Sequence, residues 1–172
     1  MSPDLKIQLL RESEFLLRLV LAGFFSAALG WERERAGKPA GFRTHTIVGV
    51  AAALFVIVGI LAIAEHPTEV MNLDPTRTVH AIAVGIGFLG GGVVFVSRKR
   101  DRVEGLTTAA SVWATAGVGA AAGYGLYVVA TGATLVLLIV LHLLKDLDRS
   151  SDAIADNDAR GIGEGGPGRR DE

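Results

Sequence analysis

The 172-residue chain contains no cysteine, which removes disulfides and thiolate metal sites from consideration. It has no G-x-x-x-x-G-K-[ST] run. The nearest glycine-rich stretch, GIGFLGGG, has no lysine to meet a phosphate. No nucleophile–base constellation and no metal cluster can be assembled from the side chains present. No Asp or Glu stands at the centre of any long apolar run. A dedicated magnesium carrier would hold the ion through carboxylates and retained waters, and an ion path would place ionisable groups at depth. These absences predict a non-catalytic protein without cofactor, metal site or nucleic-acid partner.

What the chain does have is apolar sequence. Half of its residues are hydrophobic and 22 are glycine, and mean hydropathy is +0.42. Five uncharged or nearly uncharged runs stand out: Phe15 to Trp31, Thr46 to Ala64, Val79 to Val96, Leu106 to Ala122 and Leu126 to Leu144. At 1.5 Å per residue each makes about 25–29 Å of helix, close to the roughly 30 Å hydrocarbon core of a bilayer. An apolar segment in lipid must be helical, because each backbone polar group has to be satisfied within it. The expected fold is therefore all-α: a polytopic membrane protein of about five transmembrane helices in a compact bundle with short loops. The first run has Lys6 and Arg11 ahead of it and small residues near Ser26, as a signal peptide would. The four further runs make it an uncleaved anchor instead.

Three regions follow. Residues 1–14 form an amphipathic lead-in with Ser2-Pro3-Asp4 as a helix start, 15–145 the transmembrane domain, and 146–172 a disordered cytoplasmic tail. Asp74-Pro75 is placed to start the third span and Thr44 to cap the second. Gly123-Tyr124-Gly125 alone separates the fourth and fifth runs, so a very tight hairpin is required.

Lys and Arg are unevenly placed. The segments Glu32–His45, Ser97–Gly105 and the tail from Lys145 hold thirteen, against three in the N-terminal segment, Glu65–Thr78 and the last hairpin. The positive-inside rule then puts the N-terminus outside and the C-terminus in the cytoplasm. Arg98, Lys99, Arg100 and Arg102 read as a lipid-facing basic loop.

The segment GWERERAGKPAGFRTHTIVGV needs more than orientation to account for it. Glu32 and Glu34 alternate with Arg33 and Arg35, which suggests pairing. Glu34 and Lys38 have i, i+4 spacing if the helix continues past Trp31, with Pro39 and Gly41 then breaking it. Arg43 can bond a carboxylate bidentately, with Glu32 or Glu34 as partner. Glu32, Arg33, Glu34, Lys38, Arg43 and His45 are thus expected to form an ion-pair network at the helix ends or a docking surface for a partner. Gly87 with Gly91, and Gly119 with Gly123, form two G-x-x-x-G pairs that allow close backbone approach, within one protomer or across a homodimer. Thr107, Thr108, Ser111 and Thr115 add hydroxyls that can bond across helices or back to their own carbonyls. Arg18 can snorkel outward toward Glu14. His80 and His142 fall near span ends, and Glu65, His66, Glu69 and Asp74 match no ligand spacing.

GWERERAGKPAGFRTHTIVGVAAALF, VGIGFLGGGVVF and EGLTTAASVWATAGVGAAAGYGLY together closely resemble the MgtC/SapB family of bacterial inner-membrane proteins, in the expected order and over most of the membrane portion. Two features depart from the pattern: Glu104 stands where a basic residue is common, and the short tail stands where the best-known members carry a soluble domain. The resemblance implies an inner-membrane protein linked to magnesium limitation, and in pathogens to survival in host cells. It implies a regulator of, or accessory to, another integral membrane complex such as the ATP synthase. A magnesium or other cation transporter or channel is the alternative, and a structural or lipid-binding scaffold is the second.

Overall fold

The computed structural model describes residues 3–65, 76–97 and 102–143. Five helices account for most of them. α1 is Pro3–Arg35, α2 Phe42–Glu65, α3 Thr76–Val93, α4 Leu106–Gly123, and α5 Tyr127–Leu143. A two-stranded antiparallel ribbon, β1 Phe95–Ser97 with β2 Arg102–Glu104, joins α3 to α4, in register Phe95↔Glu104 and Ser97↔Arg102. The described residues are helical as expected, with this short ribbon as a local departure at the end of α3. The helix expected to reach Val96 stops at Val93 after Gly90, Gly91 and Gly92, residues that gain least from helical order. The β-branched residues beyond them, Val96 and Val103, pair across the two strands instead.

α1 is one helix of 33 residues, about 50 Å long, with no break between the lead-in and the apolar run. It ends at Gly37, whose φ is 67°. Lys38 N–H donates to the Arg33 carbonyl at 3.1 Å and Gly37 N–H to the Glu34 carbonyl at 3.0 Å, the two bonds of a Schellman cap. The stop therefore comes before Pro39 and Gly41, and it leaves Lys38 outside the helix. The same motif ends α4: Leu126 N–H donates to the Ala121 carbonyl and Gly125 N–H to the Ala122 carbonyl, both at 2.9 Å, with Gly125 at φ 77°. This is the tight hairpin that Gly123-Tyr124-Gly125 demanded.

α1 and α2 are long and apolar enough to cross a membrane. α3 and α4, 18 residues each, are diluted by glycine, alanine and hydroxyl side chains. The chain divides into two compact units at Leu138, and the described part of the second is the end of α5.

Within the first unit, size is sorted in reverse of a water-soluble domain. Small residues fill the core, among them Ala22, Ser26, Ala52, Ala53, Ala116 and Ala122, while Val20, Phe24, Phe55 and Phe88 face outward. Lipid gives large apolar groups no reason to hide, so helices associate by the closeness of approach that small residues permit. α1 meets α2 at Gly30, where a Cβ would sit 2.8 Å from the Phe42 Cα, and at Ser26 against Gly49. α2 meets α4 at two facing pairs. Gly119 lies against the Gly49 backbone, and a Cβ on Gly123 would lie 2.9 Å from the Ala53 Cα.

Candidate functional site

The α1–α2 corner brings most of the expected cluster together, but sorts it into an inner and an outer set. Glu34 sits in the last turn of α1, and its carboxylate accepts the Phe42 N–H at 2.8 Å. It thereby caps α2, whose own first turn has no acid, and places a negative charge at the positive end of that helix. The cap expected of Thr44 is supplied from another helix, because α2 begins two residues earlier. Gly41 is needed for this contact, since a Cβ there would come 2.8 Å from the Glu34 Oε2.

His45 is fully buried. Its Nδ1 lies 3.0 Å from the Gly41 carbonyl, which can only accept, so Nδ1 carries a proton. Its Nε2 lies 3.1 Å from Ser111 Oγ on α4, and the Ser111 hydroxyl also lies 2.8 Å from the Thr108 carbonyl. The hydroxyl has one hydrogen to give. With a neutral ring it turns toward Nε2; with a charged ring it turns toward Thr108 and accepts from Nε2. His45 thus joins the start of α2 to α4 in either state.

Arg33 is 2% exposed and forms an ion pair with Glu32 at 3.5 Å. Its Nε and Nη2 have no hydrogen-bond partner among the described residues. Burying a charge this incompletely paired costs several kcal/mol, so the cation is held by the packing of α1 rather than stabilising it.

The outer set is different in kind. Arg35 stacks over Trp31 at 5.0 Å, and Trp31 meets Phe42 edge to face at 6.3 Å. Trp31 and Phe42 are exposed, as are Arg35 and Arg43. Among the described residues no ion pair joins Arg43 to Glu32 or Glu34. The expected bidentate pairing is not formed because both carboxylates are engaged elsewhere. Lys38 is half-buried beside this set.

The glycine pairs also separate. Gly119 and Gly123 are buried against α2, whereas among the described residues no neighbouring element comes within 4 Å of a Cβ placed on Gly87 or Gly91. Arg98, Lys99 and Arg100 lie outside the described residues, as do His66, Glu69, Asp74 and the tail; Arg102 is described only as part of β2. Four partners escaped the sequence reading: Ser26, Gly30 and Gly49 as contact points, and Arg18 as a cap. Arg18 pairs with Glu14 as expected, and it also donates from Nη1 to the Gly123 carbonyl at 3.0 Å. The small-residue spacings Ser26–Gly30 and Gly49–Ala53 were the available signal for the first three.

The MgtC family matches residues 19–150. Over 136 residues the chain is 38% identical to "Putative magnesium transporter YhiD" of Escherichia coli strain K12, covering 78% of this chain and 62% of that protein. Protein SrpB of Synechococcus elongatus is 41% identical over 138 residues, 77% of this chain and 75% of its own. Protein MgtC of Brucella abortus strain 2308 is 40% identical over 129 residues, 74% of this chain and 50% of its own. The chain thus spans less than two thirds of YhiD and half of the Brucella protein. No solved structure matches it. The α1–α2 corner, helices α2 to α5 and the glycine blocks all lie within the matched residues, and the chain belongs to the MgtC family of membrane proteins.

Proposed function

We propose that this chain is a non-catalytic, multi-pass protein of the bacterial inner membrane that works by binding another integral membrane complex when magnesium is limiting. In this reading the N-terminus lies outside and the α1–α2 corner faces the cytoplasm. One observation carries the proposal: the corner presents Trp31, Arg35, Phe42 and Arg43 outward on a base fixed by the Glu34 cap and the His45–Ser111 bond. Tryptophan and arginine on a rigid support are the residue types that dominate binding energy at protein interfaces. Arg43 has no ion pair among the described residues to lose, so its replacement acts on binding rather than on the fold.

The test is capture of crosslinked partners from native membranes of magnesium-starved cells, comparing the wild type with Arg43→Ala. The expected result is one partner complex that disappears in the variant, while membrane insertion is unchanged. Retention of that complex in Arg43→Ala sinks the assignment of the corner. The second reading is transport of magnesium, the activity that YhiD's name gives to that protein. Recovery of nothing but further copies of this chain, together with ion flux in reconstituted vesicles, would establish that reading in place of the first.

A further inference from the structure

An apolar groove of about 750 Å³ runs between α2 and α3. Phe55 and Val58 line one wall, and Ala81, Ile82, Ile86 and Leu89 the other. The helices close together at one end, where a Cβ on Gly59 would lie 3.0 Å from Thr78 Oγ1. Arg77 stands at that end, exposed and without an ion pair among the described residues. From Arg77 to Leu89 the groove follows twelve residues of α3, or about 18 Å. That is close to one leaflet, half of the roughly 30 Å hydrocarbon core.

A slot of leaflet length, apolar along its walls and with Arg77 as the charged residue among its described lining, has the polarity of an anionic amphiphile. We propose that it holds one acyl chain of an anionic phospholipid, with Arg77 meeting the headgroup phosphate. A second copy of the chain is a poorer occupant. Small residues stand on both sides of α3, Gly85 and Ala81 in the groove and Gly87 and Gly91 away from it, so the charge at the mouth decides between the occupants. An apolar helix would leave the Arg77 charge unanswered at the membrane boundary.

The experiment uses the full chain in phosphatidylcholine nanodiscs containing a trace of phosphatidylglycerol with a photoreactive diazirine in mid-acyl chain. Labelling is expected to concentrate on peptides from α2 and α3, and to fall about fivefold in Arg77→Gln. Ala81→Trp, which fills the slot, is expected to abolish it, while Val20→Trp on the outer face of α1 leaves it unchanged. Arg77→Gln alters an exposed side chain, so the test stands even if Ala81→Trp fails to fold. Labelling spread evenly over α1 and the groove overturns the proposal. So does equal labelling of Arg77→Gln and the wild type, equal labelling by a phosphatidylcholine probe, or crosslinking of the groove to a second chain.

Discussion

Gly119 and Gly123 of α4 have the same four-residue spacing as Gly87 and Gly91 of α3, yet the two pairs do opposite things. Those of α4 are pressed against the backbone of α2 at Gly49 and Ala53; a Cβ on either of those of α3 meets nothing within 4 Å among the described residues. The difference lies in what faces them. α2 offers its own small pair at the matching separation, and nothing among the described residues offers one to the outer side of α3. A G-x-x-x-G spacing therefore states that a backbone can come close, not that one does.

The largest test of this contrast is Gly119→Leu. Its side chain would need the space of the Gly49 carbonyl, and backbone cannot rotate away as a side chain can. Overpacking of this kind is expected to cost about 3 kcal/mol or more, read as loss of the monodisperse species and of cooperative thermal unfolding in detergent. Breaking the polar link between the same two helices should cost less. His45→Ala is expected to destabilise by about 1–3 kcal/mol, and in a double-mutant cycle with Ser111→Ala the two effects should fall short of additive by about 1 kcal/mol. Strict additivity would mean that the ring and the hydroxyl do not cooperate. Glu34→Ala removes a cap shared between α1 and α2 and should lower stability by about 1 kcal/mol. At the bottom of the scale, Gly87→Leu should change monomer stability by no more than about 0.5 kcal/mol. A large loss there would show that the open face of α3 is covered in the membrane, and would bring the two glycine pairs back together.

The helical runs were legible because lipid leaves an apolar segment few other choices, and the α4–α5 turn because three residues between two helices admit few closures. The corner was legible as a place but not as an arrangement. Two glutamates, four basic residues and a histidine in fourteen positions announced a cluster; which of them pair depends on how α1, α2 and α4 meet. Glu34 finds a backbone N–H instead of Arg43 because Gly30 lets the start of α2 come against the end of α1. His45 finds Ser111, 66 residues away, because Gly49 and Gly119 draw α2 and α4 into contact. The ribbon was missed for a related reason. SRKRDRV reads as an ordinary charged turn, and its strand character comes from the valines on either side.

The bond from Arg18 to the Gly123 carbonyl has a consequence for the order in which the molecule can be made. The acceptor is the last residue of α4, 105 positions downstream of the donor. While the ribosome is still working through the intervening segments, the guanidinium of the nascent first helix has the Glu14 carboxylate and the Phe15 ring of its own helix to answer it. Its anchor on α4 arrives when that helix has been synthesised and has docked. A chain halted before residue 123 would therefore carry the Arg18 guanidinium without its long-range anchor.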